Sequence, residues 1–399
     1  MSKSFNGQRL RQARLYNGLS INELADMLSV TKQAISQYET QNVTPEFEKM
    51  RIITEKLNFP SSYFFQEDIY EVNTKTTYFR ALLSANRNAR LQQQIKLKHL
   101  AIIYQVLSKY LEFPPLNIPK IEYENNLDFE QIALDLRNYW GIGEKPIDNI
   151  SNLLERNGII VASYPVNQDN IDAYSQKIKV EGSDRYIVVL SNDKNLAARS
   201  NFDAAHELGH ILLHDWNIDL EELSREDFKQ QEREANYFAA AFLLPKNAFL
   251  RDISLYPRDL KYYIELKKKW KVSISAMLIR ANRLGVITDN QYQYLMKQMA
   301  TNNWRKHEPL DDILIKQEPV LLNKSIEILL QNKIFNAKEF MEELAENKLS
   351  MKPEEVEMLL NLDKGRLYYE NTIDVSADII KIKSFYNKCN NKRDDNDKY

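Results

Sequence analysis

Apolar residues recur every three or four positions along much of this chain, which is the spacing of helices that bury one face. The prolines of PPLNIP, at 114–119, are predicted to end the longest such helix, because proline cannot continue one. Similar patterns predict helices over 127–140, 147–158, about 196–215 and about 224–243, and again beyond about 305. The longest periodic run comprises Leu91, Ile95, His99, Ile102, Ile103, Val106, Leu107 and Tyr110.

Three shorter segments are predicted to be strands. GIIVASYP at 158–165 and RYIVVLS at 185–191 are rich in β-branched residues, and IDAYSQKI at 171–178 lies between them. Only nine glycines and twelve prolines occur in 399 residues, so helices should dominate. The predicted fold class is therefore mainly α, with a small α+β domain that contains a small β-sheet.

Length and composition narrow the class of protein. A chain of 399 residues exceeds what one core usually serves, so two or three domains are expected. The net charge of −2 gives no overall preference for nucleic acid, and any such preference must be local. The single cysteine, Cys389, excludes a disulfide framework and a cysteine-rich metal site. Without a recognisable signal peptide or membrane span, we expect a cytoplasmic protein with no membrane partner.

The N-terminal segment has the pattern of a helix-turn-helix. Ser20 and Glu23 form a predicted capping box, and Thr31 is placed to cap the next short helix. On that second helix, four hydrogen-bonding side chains are expected to face outward, as those that contact base edges do. Residues 1–45 carry five basic and three acidic side chains, a local charge of +2, so arginines of the first helix are expected to neutralise phosphates. The outward-facing side chains are Lys32, Gln33, Ser36 and Gln37.

Residues 7–65 resemble the Xre/Cro-repressor type of helix-turn-helix domain. VTKQAISQYET is similar to its recognition helix, and LNFPSSYFF is similar to its closing helix. The resemblance implies binding to a double-stranded DNA operator, and dimerisation follows because paired half-sites are read by symmetry. By position, it assigns base or phosphate contacts to Thr31, Lys32, Gln33, Ser36 and Gln37.

The segment AAHELGHILLH contains an HExxH motif, formed by His206, Glu207 and His210. Histidines four residues apart share one face of a helix, so both can reach one Zn²⁺. Glu207 is then placed to take a proton from water. His214 shares the face but lies about 12 Å along the helix from His206, too far for one zinc. A carboxylate from the next predicted helix is expected to complete a His2Glu site, and periodicity does not choose between Glu232 and Glu234.

FDAAHELGHILLH followed by EREANYFAAAFLLP resembles the ImmA/IrrE family of zinc metallopeptidases, which has a zincin-like core. The resemblance implies that the glutamate of the EAN triplet, Glu234, is the third ligand. It also extends to YFRALLS at 78–84 and to 266–288, whose similarity to a second helix-turn-helix is less favoured than packing in the peptidase domain. Asn201 and Asp203 depart from the family pattern, which puts substrate preference in doubt. The strand at 185–191 is expected to be the edge strand, where an extended peptide could pair.

Together, these patterns predict a regulator joined to a protease. The resemblance implies cleavage of a helix-turn-helix repressor, which relieves repression of a mobile-element or stress-response operon. The alternative is a non-proteolytic transcription factor whose zincin domain senses a ligand or zinc and dimerises, and an antitoxin or phage-defence role is a third possibility. The predicted domains are the DNA-binding domain at 1–70, a linker and connecting helix at 71–119, the peptidase at 120–300 and a helical region with a disordered tail at 301–399.

Overall fold

The computed structural model describes residues 4–68, 77–78, 87–120, 128–168, 171–180, 182–194, 196–216 and 224–369. The predicted tail beyond 369, Cys389, most of YFRALLS and residues 69–76 of the linker lie outside these ranges. The fold is mainly α with a small sheet, which confirms the predicted fold class. In the described part of the chain, no helix is both long and apolar enough to cross a membrane.

The N-terminal bundle follows the helix-turn-helix pattern. It contains α1 Gly7–Tyr16, α2 Ile21–Leu28, α3 Lys32–Gln41, α4 Phe47–Lys56 and a 3-10 turn at Ser61–Phe65. Ser20 and Glu23 form the predicted capping box of α2, and the Thr31 hydroxyl accepts a hydrogen bond from the amide of Ala34 at the start of α3. These side chains satisfy amides that helix starts leave unpaired, so the turn between α2 and α3 is set by local sequence.

Within the described ranges, four strands form one sheet in the order β1-β3-β4-β2. β2 Ile160–Tyr164 runs parallel to β4 Ser183–Ser191, whereas β3 Ala173–Val180 is antiparallel to β4 and to the two-residue β1 Thr77–Tyr78. The three predicted strands are all present. The expectation that 185–191 is an edge strand is wrong, because β4 pairs with β2 on one side and β3 on the other.

Hydrophobic cores cover both faces of the sheet, and β3 alternates between them. Tyr174 and Ile178 point into one core, whereas Ala173 belongs to the other. The first core joins the sheet to the N-terminal bundle and to four helices: α5 Arg87–Ser108, α14 Leu321–Gln331, α15 Ala337–Glu346 and α16 Pro353–Leu360. Because these segments share one core, the N-terminal bundle packs on the same body as the sheet rather than apart from it.

The second core lies beneath the helices that surround the candidate site. The segment at 266–288 forms parts of α11 and α12, whose buried Trp270, Met277 and Leu278 pack in this core, as the favoured interpretation of that segment requires. The helices on this face are α6 Phe129–Tyr139, α7 Ile150–Arg156, α8 Ala197–Leu213, α9 Arg225–Leu243, α10 Lys246–Ile253, α11 Leu260–Trp270, α12 Ile274–Arg283 and α13 Asp289–Thr301.

Candidate metal centre and DNA-recognition helix

Helix α8 brings His206 and His210 together at its buried face. Their side chains are 2% exposed, and the two Nε2 atoms lie 2.9 Å apart. The four-residue spacing places the two rings one turn apart on the same face of α8, as the sequence predicts. α8 can run this close to α9 because Gly209 has no side chain: a Cβ there would lie 3.1 Å from the Cα of Ala235.

The third side chain at this point is Glu232 of α9. Its Oε1 lies 3.2 Å from His210 Nε2, and its Oε2 lies 3.7 Å from His206 Nε2. Potential ligand atoms of the three residues fall within 4.8 Å of one another. Two ligands of a tetrahedral zinc lie about 3.3 Å apart when the bonds are about 2.0 Å, so the donors and their spacing fit zinc.

Glu234, which the resemblance assigns as the third ligand, is not at this point. Two residues along a helix differ in direction by about 200°. Glu234 therefore points away from the histidine pair and lies near the C-terminal end of α8. There its Oε2 lies 3.2 Å from Nε2 of His214, and its Oε1 accepts a hydrogen bond from Gln230. The structure therefore brings Glu232, rather than the expected Glu234, to His206 and His210.

His214 ends α8 and connects Glu234 to the candidate ligands. Its backbone is extended, and its Nδ1 lies 2.9 Å from Nδ1 of His210. Burial, together with nearby His210, lowers the pKa of His214 to about 3, so this ring is neutral. A neutral His214 that donates from Nε2 to Glu234 can accept from His210 at Nδ1. This pattern leaves the lone pair of His210 on Nε2, the atom that faces His206 and Glu232.

Glu207 is buried beside the histidines, and a side chain of the sheet holds its carboxylate by a hydrogen bond. The hydroxyl of Ser175, on β3, donates to Glu207 Oε2 at 2.5 Å. Sequence patterns did not single out Ser175. A serine on a half-polar strand carries no motif, and its partner lies 32 residues away in the chain. Only the pairing of β3 with β4, under α8, brings the two side chains together.

His206 and Glu207 open into a cleft of about 1030 Å³. The cleft is bounded by β3, α8, α9, α12 and the turn after α13. Asp203, one of the two departures from the family pattern, lines it, whereas the amide of Asn201 donates to the carbonyl of Lys271 and has a structural role. A ligand several residues long could therefore reach His206 and the Glu207 carboxylate from solvent.

The predicted contact residues of the recognition helix α3 lie on its exposed side. Thr31, Lys32, Gln33, Ser36 and Gln37 are all accessible to solvent, whereas Ile35 is buried in the bundle core. This pattern follows from the helical period, which places Ile35 on the opposite face from its neighbours.

Two of the three arginines of α1 do not have the predicted role of neutralising phosphates. Arg14 is buried and forms a two-point ion pair with Glu39 of α3, and Arg9 is buried against the carbonyls of Glu67 and Lys348. Only Arg11 of the three is exposed. The count of basic residues overstated the charge available for phosphates, because two of these side chains hold the bundle together.

Together, the bundle and the His/Glu cluster define a DNA-binding helix-turn-helix domain joined to a peptidase-like domain. Comparison with protein families agrees with this. Residues 7–67 match the family described as "Helix-turn-helix domain", and residues 154–282 match the family described as "IrrE N-terminal-like domain". The chain thus carries an Xre-like helix-turn-helix at its N-terminus and an IrrE N-terminal-like domain after it.

Comparisons with individual proteins add little. No curated protein matches the chain. A solved structure titled "Mycobacterium tuberculosis transcriptional regulator" is 17% identical, with a TM-score of 0.28. The match covers 46% of this chain and 51% of the mycobacterial one, so the chain spans about half the length of that protein.

Proposed function

We propose that this chain is a DNA-binding transcription regulator whose second domain is a zinc-dependent endopeptidase. Its proposed substrate is a helix-turn-helix repressor, whose cleavage relieves repression of a mobile-element or stress-response operon. One observation supports the proposed peptidase activity. Glu207, which is placed to act as a general base, lines a cleft beside the converging side chains of His206, His210 and Glu232. A site that only held a metal would not need that carboxylate.

In this proposal, His206, His210 and Glu232 hold Zn²⁺. Zinc held by these residues would supply Lewis-acid chemistry for the hydrolysis of a peptide bond near neutral pH. Glu207 takes the proton from the attacking water and passes it to the leaving amine. Ser175 fixes the carboxylate by its hydrogen bond to Oε2, and His214 fixes the ring of His210. Both are positioning residues.

The peptidase proposal is tested by comparing the zinc-loaded protein with Glu207→Gln. Purified helix-turn-helix repressors, and the protein itself, serve as candidate substrates. Wild type should cleave at least one of them, and Glu207→Gln should keep its zinc but lose cleavage. Normal regulation by Glu207→Gln in cells, without cleavage of any partner, would instead support the non-proteolytic transcription factor.

The alternative of a ligand-sensing regulator is favoured by one observation. The N-terminal bundle, α5 and the sheet share a hydrophobic core, and the Ser175 strand has its other face in that core. A ligand that moved β3 would therefore push directly on the helices that carry the DNA-binding domain. In this alternative, the cleft binds an effector and the zincin domain dimerises.

For DNA binding, we propose that Thr31, Lys32, Gln33, Ser36 and Gln37 contact a double-stranded operator, with a homodimer reading paired half-sites. The solvent accessibility of all five side chains supports this. Replacing Gln33 and Lys32 together by alanine should weaken binding to a footprinted operator by about 1–3 kcal/mol for each base that the helix no longer reads. Arg51→Ala, an exposed change on α4, is the matched control. Unchanged operator affinity in the α3 double variant would refute the assignment.

A further inference from the structure

Charged side chains from four parts of the chain line the candidate cleft, and most of its acidic groups are already paired. Asp172 forms ion pairs with Lys194 and with Arg199. Glu308 and Asp311 both contact the buried ammonium of Lys267. These carboxylates are largely neutralised by neighbours, so they contribute little net charge to the cleft.

The basic side chains of the cleft have a different environment. Arg233, Arg283, Arg305 and Lys306 are accessible to solvent, and none of them forms an ion pair with any residue that the structure describes. Arg233 donates to the side chain of Gln230, and the guanidinium of Arg283 lies 4.2 Å from the ring centroid of Tyr237. The four cations therefore give the cleft wall a positive charge that neighbouring carboxylates do not cancel.

The turn that carries Arg305 and Lys306 is firmly anchored at the mouth of the cleft. Glu308 accepts hydrogen bonds from the amides of Ile274 and Ser275 at the start of α12, and from the Ser275 hydroxyl. These bonds use helix amides that would otherwise be unpaired, and Lys267 completes the arrangement. The contacts of Glu308 thus hold this turn beside α12, while the side chains of Arg305 and Lys306 are exposed. They lie outside 154–282, the part of the chain that matches the peptidase-like family.

The floor of the cleft, in contrast to its basic wall, carries acidic and apolar side chains. His206 and Glu207 line it together with Asp203, and Phe202 and Ile279 add apolar surface. A nucleic-acid strand would bring its phosphates towards the carboxylates of Asp203 and Glu207, where like charges repel. An extended peptide avoids this conflict, because its main chain carries no charge and its acidic side chains can reach the wall.

We propose that the cleft selects peptide segments with acidic side chains beside the bond to be cleaved, which Arg283 and Arg305 recognise together with Arg233 and Lys306. Guanidinium groups bind carboxylates with two parallel hydrogen bonds, which gives direction as well as attraction. The inference rests on the proposed function, since it names the substrate class of the same site.

The test measures binding, with full-length zinc-loaded Glu207→Gln protein. Two fluorescein-labelled decapeptides share an Ala/Leu/Ser sequence and differ only in carrying two Glu or two Gln near the centre. The Glu peptide should bind about fivefold more tightly in fluorescence anisotropy, as expected for two exposed charge pairs. This preference should disappear in Arg283→Gln/Arg305→Gln. It should remain in Arg258→Gln/Lys261→Gln, which removes two exposed charges outside the cleft lining.

Three outcomes would overturn the inference: equal binding of the two peptides, a preference that survives in Arg283→Gln/Arg305→Gln, or displacement of the Glu peptide by a ten-nucleotide single strand with the same arginine dependence. The last would make the wall a nucleic-acid site. Because the readout is binding, the charge preference can hold when no repressor is cleaved. Cleavage of a repressor without a preference for the Glu peptide would refute the proposed selectivity but not the proposed peptidase function.

Discussion

At the scale of single residues, two glutamates on one turn of α9 have different partners. Glu232 reaches the Nε2 atoms of His206 and His210, whereas Glu234 reaches His214. His214 in turn contacts His210 on the ring nitrogen that faces away from the candidate metal position. This resembles the general arrangement in which a metal-bound histidine is oriented through its second nitrogen.

The role of His214 can be separated from that of a ligand. His214→Phe keeps a ring but removes the acceptor that fixes His210, so zinc should bind about tenfold to a hundredfold more weakly. The dissociation constant is measured by competition with a chromogenic chelator. His307→Phe, a change at an exposed histidine, should leave it unchanged. Equal affinities in wild type and His214→Phe would mean that the ring contact has no influence on the site.

At the scale of elements, the site depends on how closely α8 and α9 pack. The sequence predicted both helices, the HExxH face and an acidic ligand from α9, because these follow from helical periodicity. Periodicity did not choose between the two glutamates, and the resemblance implied Glu234, whereas the structure places Glu232 beside the histidines. The choice depends on the rotation of α9 about its axis, which is set where Ala235 and Phe238 pack on Gly209. The contact between Ser175 and Glu207 could not be predicted either, because it depends on how the strands pair beneath α8.

Gly209→Val tests this packing. Two added methyl groups and a Cβ would overlap Ala235 and Phe238, so the free energy of unfolding should fall by about 1–3 kcal/mol. Glu232 should be displaced as α9 moves, and zinc content should fall as well. Both are measured on purified protein, by denaturant unfolding and metal analysis. Lys229→Val, on the exposed side of α9, controls for the cost of a β-branched residue in a helix. No loss in Gly209→Val beyond that of the control would mean that the contact of Gly209 with Ala235 and Phe238 does not position α9.

In the whole molecule, the N-terminal bundle is not an independent domain on a linker, because it shares a hydrophobic core with other elements. Its core continues through α5 into the sheet, and His99 of α5 stacks on Tyr16 of α1 at a centroid distance of 5.2 Å. The helical periodicity predicted α5 and the inward position of His99. Its partners could not be predicted, because residues far apart in sequence form this junction.

His99 gives the junction a pH dependence. Burial, followed by the charges of Arg9 and Lys98, lowers the pKa of His99 well below 6.5. The unfolded chain then binds this proton more readily, so folding stability is lost as pH falls through about 6.5. Between pH 7.5 and pH 5.5, the free energy of unfolding should fall by about 1.3 kcal/mol more in wild type than in His99→Phe. Urea unfolding at both pH values measures it, with exposed His307→Phe as control. Parallel pH profiles for wild type and His99→Phe would contradict this.

We propose that His206, His210 and Glu232 form the metal centre, and zinc content distinguishes this set from one that contains Glu234. Wild type, Glu232→Gln and Glu234→Gln are dialysed against the same micromolar zinc buffer and analysed for bound metal. We predict about one equivalent in wild type and in Glu234→Gln, and a marked loss in Glu232→Gln, because a neutral amide is a poor zinc ligand. Zinc retained in Glu232→Gln but lost in Glu234→Gln would contradict the claim and restore Glu234 as the third ligand.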